Sequence, residues 1–319
     1  MIRLSLVGAV AVWAAAVAAQ PATDSPEVTA SIGRARAAAG AEWNDTVEFF
    51  CGRDTGRANR ADDPVLAPVR IFDNLFALGR TSTVVYALTT PAGILLIDAG
   101  YPDQLETMLL PGLRGLGLDP ADVKYVLIAH GHADHYGAAA YFQERGARVA
   151  LSAADWDLLE NPPPAAPGGP PPPTGLPPPK RDVVVADGEP ITFGGVELTP
   201  VLIPGHTPGA LGFVFGVTDQ GRPHTAALFG GSILLSNRIS ADGLRQYVQS
   251  VERFAAVTRR LGADVEIQNH PLYDGFPAKL ERLVRRGAND AHPFVVGRDA
   301  YQRFLTVMAE CGKAQLARR

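Results

Sequence analysis

Hydrophobic positions along the chain fall into two alternating sets of short apolar runs and longer amphipathic stretches. Leu75-Phe76-Ala77-Leu78, Thr83 to Thr89 and Ile94 to Ile97 are apolar or β-branched runs separated by Gly79 and by Pro91-Ala92-Gly93, the pattern of successive strands. Gln104 to Leu116 has helical periodicity, and Pro111 is expected to interrupt it. A buried strand at Tyr125 to Ile128, a helix at Ala138 to Arg145, a strand at Arg148 to Leu151 and a helix at Ala153 to Glu160 follow. Strand signals resume at Asp182 to Ala186 and Ile191 to Leu202, then at Leu211 to Val217 and Thr225 to Phe229. The pattern closes with a helix over Ala241 to Leu261, a strand at Asp264 to Ile267, and helices at Pro277 to Arg286 and Arg298 to Ala317. Two β-rich halves, each followed by helices, predict two sheets packed face to face with helices outside, a four-layer αββα sandwich of the α/β class.

Three segments stand outside this alternation. Met1-Ile2-Arg3 precedes an apolar run, Leu4 to Val17, and small residues at Val17-Ala18-Ala19, which reads as a signal peptide over residues 1–19. Residues 20–66 read as an Ala-rich, helical N-terminal extension, leaving residues 67–319 as the main domain. Within that domain residues 162–179 hold eleven prolines and three glycines, so this segment is expected to be an extended, exposed loop, either a flap beside the site or a surface insertion.

Composition adds limits more than direction. The 319 residues are 46% hydrophobic and 19% charged, with a formal net charge of −4, which gives no reason to expect nucleic acid or an anionic membrane as partner. No run beyond the leader could span a bilayer, so the mature chain is expected to be periplasmic or secreted. The oligomeric state is open. An exported chain meets an oxidising compartment, and the only two cysteines, Cys51 and Cys311, are expected to pair and tie the extension to the last helix.

The chemistry concentrates in Ala129-His130-Gly131-His132-Ala133-Asp134-His135-Tyr136-Gly137, where four metal-ligand side chains fall within six residues. Helical zinc motifs space their ligands three or four apart, whereas His130 and His132 are two apart, which calls for an extended turn leaving the preceding strand. Gly131 and Gly137 are expected to supply the backbone freedom of that turn. His206 in Pro204-Gly205-His206-Thr207-Pro208-Gly209 and His270 in Asn269-His270-Pro271 each follow a strand, so three strand ends deliver ligands. His224 and His292 lack such a setting and read as structural.

This set resembles the metallo-β-lactamase superfamily: His-x-His-x-Asp-His, Pro-Gly-His-Thr-Pro-Gly and a late strand-end His, with Leu96-Ile97-Asp98-Ala99-Gly100 similar to the early motif whose Asp supports the metal loop. The resemblance implies two Zn²⁺ ions, the first held by His130, His132 and His206 and the second by Asp134, His135 and His270, with a bridging hydroxide as nucleophile. In Leu228-Phe229-Gly230-Gly231-Ser232-Ile233, Ser232 stands where lactonase and thioesterase branches carry a bridging Asp; together with His135 this resembles the subclass B3 β-lactamases. Asp134 and Ser232 are the candidate catalytic residues, and the resemblance implies a small-molecule substrate, with opening of a β-lactam ring the expected reaction. Hydrolysis of another cyclic ester, thioester or amide is the alternative, and a non-catalytic zinc-binding protein a third reading. Gly230-Gly231 and the apolar Ile233, Leu234 and Leu235 depart from the hydroxyl-rich surroundings expected for a lactam carboxylate.

Overall fold

The computed structural model describes residues 23–53, 63–163, 174–234 and 239–319. The proposed signal peptide, most of the proline-rich segment and Leu235 lie outside the described residues. Two sheets form the centre. The first joins β1 (Val65–Arg70), β2 (Leu75–Arg80), β3 (Val84–Thr90), β4 (Gly93–Ile97), β5 (Val123–Leu127), β6 (Arg148–Ser152) and β7 (Val183–Val185) in sequential order. The second orders β12 (Val265–Glu266), β11 (Arg222–Phe229), β10 (Leu211–Asp219), β9 (Val196–Leu202) and β8 (Ile191–Phe193) from one edge to the other. Strands β1 to β4 pair antiparallel and β4 to β7 parallel, while β12 is the one parallel strand of the second sheet.

The strands are apolar on both faces because both faces are covered, and the side-chain period of two sorts them into layers. On β4, Leu95 and Ile97 face the opposing sheet, while Ile94 and Leu96 face outward. On β11, Ala226 and Leu228 face inward and Ala227 and Phe229 outward. Leu211, Phe213, Phe215 and Val217 of β10 meet Tyr86, Leu88 and Leu127 across the central layer. The outer face of the first sheet is covered by α3 (Leu110–Gly115), α5 (Ala139–Gln143) and α6 (Ala153–Glu160), with Trp156 fully buried. The outer face of the second is covered by α7 (Ala241–Leu261) and α9 (Arg298–Ala317). Helix α4 (Ala133–Tyr136) lies in the histidine turn, and α8 (Phe276–Arg285) follows β12. The expected four-layer αββα sandwich is the observed architecture.

What reads in sequence as an extension is part of this last layer. Helices α1 (Pro26–Ala39) and α2 (Asn44–Cys51) bury Ala35, Ala39, Trp43, Val47 and Phe50 in the same core as α7 and α9. Trp43 Nε1 donates to the Ala300 carbonyl at 2.9 Å, and the Cys51–Cys311 disulfide, 260 residues apart in sequence, fastens the end of α2 to α9. No helix among the described residues is long and apolar enough to cross a membrane.

Two local expectations are corrected. Pro111 does not break the Gln104–Leu116 helix, because it occupies the second position of α3, where its missing N–H costs nothing. A wide turn over Leu105–Leu109, in which Leu109 N donates to Gln104 O at 3.0 Å, leads into it. Gly131 and Gly137 do not serve by backbone freedom, since Gly137 is right-handed helical (φ −46°, ψ −49°) and neither has a positive φ. They serve by small size. A Cβ on Gly137 would lie 2.2 Å from the Gly100 carbonyl oxygen, and one on Gly131 would lie 2.8 Å from Leu159 Cδ1.

Candidate metal centre

Strand β5 runs straight into the histidine turn. Asp98, at the end of β4, captures the turn: its Oδ1 accepts from Ala129 N at 2.7 Å and its Oδ2 from His135 Nδ1 at 2.7 Å. Its backbone is left-handed (φ 63°), which is tolerable for Asp and turns the carboxylate back across the ends of the strands. His132 is extended (φ −92°, ψ 152°) and caps α4, so His130 and His132 lie before the helix while Asp134 and His135 lie in its first turn. The ligands two apart are splayed by extended backbone, as their spacing requires.

The other strand ends complete the arrangement. His206 Nε2 lies 3.1 Å from His130 Nε2 and 3.1 Å from His132 Nδ1. His135 Nε2 lies 2.9 Å from His270 Nε2, and Asp134 Oδ2 lies 3.5 Å and 3.6 Å from those two nitrogens. Ligand atoms of His130, His132 and His206, and likewise of His130, His135 and His270, fall within 4.8 Å of one another. All six residues singled out by spacing are therefore brought together. His224 and His292 are not: His224 bonds Asp264 at 2.7 Å, and His292 donates to Ile71 O while stacked on Phe72.

The hydrogen bonds behind the rings test whether this donor set suits metal ions. His130 Nδ1 faces the Gly230 carbonyl at 2.9 Å, His206 Nδ1 the Ile233 carbonyl at 2.8 Å, and His270 Nδ1 the Ser82 carbonyl at 2.6 Å. A carbonyl accepts only, so each Nδ1 carries the proton and each Nε2 presents a lone pair inward. Among the three nitrogens that face one another, His130 Nε2, His132 Nδ1 and His206 Nε2, at most one proton, that of His132, is available. Facing lone pairs at this distance repel unless a cation lies between them. Two imidazole nitrogens on one tetrahedral zinc are about 3.3 Å apart, close to the spacing observed. The donor set fits.

The electrostatics agree. Burial, reinforced by the neighbouring imidazoles, pushes His130 and His206 well below the ordinary histidine range, and burial also lowers His132 and His270. Such rings stay neutral, as metal ligands must. Burial opposes charge on His135 too, but the Asp98 and Asp134 carboxylates outweigh it and raise its pKa to about 10. Burial pushes Asp134 upward, but His135, His270 and His132 hold it below the usual carboxylate range. Without metal, a proton on His135 occupies the place of positive charge.

Two supporting residues escaped the sequence reading. Asp155 of α6 is fully buried; its carboxylate accepts from Gly131 N, Thr207 Oγ1 and Gly209 N, each at 2.7 Å, which staples the first histidine turn to the His206 turn. Asn269 Nδ2 donates to Asp98 Oδ2 and to Gly230 O, both at 3.0 Å. Asn269 is adjacent to a ligand and could have been flagged; Asp155 lies 20 residues beyond His135 with no motif to mark it. Ser232 is fully buried, its carbonyl accepting from Tyr247 Oη at 2.9 Å and its hydroxyl making no hydrogen bond of ordinary geometry.

Comparison with known proteins agrees with this geometry. Residues 78–219 match the family model described as the metallo-beta-lactamase superfamily. Among solved structures, the chain is similar to BJP-1, a subclass B3 metallo-β-lactamase of Bradyrhizobium japonicum, with 26% identity and a TM-score of 0.63 over 75% of this chain and 89% of that one. The Rm3 metallo-β-lactamase gives 27% identity and a TM-score of 0.61 over 75% and 90%. A Cronobacter sakazakii metallo-β-lactamase described by a HARLDQ motif gives 26% and 0.62 over 75% and 93%.

Proposed function

We propose that this chain, a metallo-hydrolase of the metallo-β-lactamase superfamily similar to its subclass B3 members, is an exported dizinc enzyme that opens the β-lactam ring. The observation that carries the dinuclear reading is the inward-facing set of imidazole lone pairs, held by carbonyls behind three of the rings. His130, His132 and His206 would hold the first ion, and Asp134, His135 and His270 the second. The chemistry such ions supply is acidification of a water and polarisation of the scissile carbonyl.

The chain's own residues do the rest. Asp98 holds His135 by its Nδ1–H, so that Nε2 faces inward, and Asn269 in turn holds Asp98. Asp134, held below the usual carboxylate range and so anionic, would be a ligand of the second ion and is the carboxylate we assign to take the water's proton and return it to the ring nitrogen as the C–N bond breaks. Ser232 contributes as a small residue in the wall behind the histidines, since its hydroxyl is buried. Periplasmic or secreted location is supported by the disulfide and by the leader read from the sequence.

The test is turnover of a penicillin, a carbapenem, an acyl-homoserine lactone and a thioester by zinc-loaded protein, alongside Asp134→Ala. Ring opening of the lactams, with loss of the second ion and of most activity in the variant, is expected. Turnover of lactones alone would replace the β-lactam reading by the alternative of another cyclic ester or amide. Absence of turnover on every carbonyl substrate would leave a metal-binding protein.

A further inference from the structure

His270 comes from the second half of the chain, yet the group that orients it belongs to the first. Its Nδ1 donates to the carbonyl of Ser82 at 2.6 Å, and the preceding carbonyl, Asn269 O, accepts from Val84 N at 2.8 Å. Ser82 is in the tight turn between β2 and β3, closed by Arg80 N to Thr83 O at 3.0 Å and Thr83 N to Arg80 O at 3.2 Å. The Ser82–Thr83 peptide that carries this carbonyl is tied by its N–H to Arg80 O, so its position is set by whatever group fixes Ser82 itself.

That fixing group is Asp63. Its Oδ1 accepts from Ser82 N at 2.9 Å and Thr81 Oγ1 at 3.0 Å, and its Oδ2 accepts a short bond from Ser82 Oγ. Its own carbonyl accepts from the Arg80 guanidinium, and Thr81 N donates to Pro64 O at 3.1 Å, so Asp63 and Pro64 clamp the turn from outside. The carboxylate is buried, 8% exposed, and all three of its hydrogen bonds go to two adjacent residues. A buried carboxylate committed to one turn is costly unless the position of that turn matters.

We propose that Asp63 is a positioning residue for the second metal. By holding Ser82 through its N–H and Oγ it holds in place the carbonyl that accepts the Nδ1–H of His270, and so the tautomer and direction of the Nε2 that faces His135 and Asp134. This rests on the dinuclear reading above. The hydrogen bonds of Asp63 go to Arg80, Thr81 and Ser82, whereas the rings of His130 and His206 are held by the Gly230 and Ile233 carbonyls and Asp155 holds the turn before His132 through Gly131 N. Its effect falls on one of the two ions.

The test is competitive zinc titration against a chromophoric chelator, following the two binding steps separately in wild type, Asp63→Ala, Asp63→Asn and Ser82→Ala. Wild-type protein is expected to take two ions. Asp63→Ala is expected to weaken the second step about 10- to 100-fold and leave the first within about twofold. Asp63→Asn, whose amide oxygen still accepts from Ser82 N and whose amide nitrogen can donate to Ser82 Oγ, is expected to recover most of the loss. Should Asp63→Ala fail to fold, Ser82→Ala reads the same arm, and a second-step loss of about 2- to 10-fold is expected from the missing hydroxyl bond. Equal weakening of both steps, or a second step unchanged in the folded variants, overturns the proposal alone. A wild-type protein that binds one ion overturns the dinuclear reading and this inference with it.

Discussion

Replacing Asp155 by Ala removes one buried carboxylate that three donors share. Gly131 N, Thr207 Oγ1 and Gly209 N each lie 2.7 Å from it, and each is left without that acceptor. A hydrogen bond to a charged acceptor is worth about 1.5–3 kcal/mol, so three would sum to roughly 5–9 kcal/mol. That sum overstates the loss. Burial raises the Asp155 pKa despite these hydrogen bonds, so the carboxylate bears a desolvation cost that the variant escapes, and water can enter the space left behind. A net loss of about 3–4 kcal/mol is expected in urea denaturation of metal-free protein. Gly131 sits between His130 and His132, and Thr207 follows His206, so the first zinc should also bind about 10- to 100-fold more weakly while the second changes less. A loss below about 1 kcal/mol with first-site affinity unchanged would refute the idea that Asp155 joins the two turns.

Three further outcomes follow from the same coordinates. Gly137→Ala forces a Cβ against the Gly100 carbonyl and should cost more than about 3 kcal/mol, whereas Gly115→Ala, with nothing within 4 Å, should stabilise by about 0.5–1 kcal/mol; thermal denaturation of both is the check, and equal effects would contradict the steric account. Cys51→Ser with Cys311→Ser should lower stability by about 3–5 kcal/mol, because the bond closes a loop of 260 residues, and a variant as stable as wild type would show that helix packing alone holds α1 and α2. Metal-free protein should lose stability on both sides of neutrality. As pH falls below about 6.5 the unfolded chain protonates His130, His132, His206 and His270 while burial keeps them neutral in the fold; as pH rises toward about 10 the proton held by His135 between Asp98 and Asp134 is lost. A flat denaturation midpoint from pH 5 to 10 would contradict those shifts.

Much of this molecule was legible before folding because its signals are local. Helix α7 begins and ends where expected, since Ser240 caps its N-terminus through Gly243 N and Gly262 adopts the left-handed conformation (φ 71°) that stops it. Strands β4, β5 and β6 show as apolar runs because both faces of the sheet are covered. The six candidate ligand positions, five histidines and Asp134, were legible because histidines clustered at strand ends, two of them only two residues apart, have few other uses. Tertiary contact decided what no local pattern encodes. Pro111 is harmless because of the wide turn before it, and Gly137 is required because another segment's carbonyl passes close by. Ser232 has its hydroxyl buried because α7 and the Tyr273 loop close over it. Asp63 and Asp155 act on turns 18 and more residues away, and a carboxylate's partners across such distances depend on how the layers stack. Sequence periodicity records which face of an element is apolar; it does not record which other element that face, or a polar group beside it, will meet.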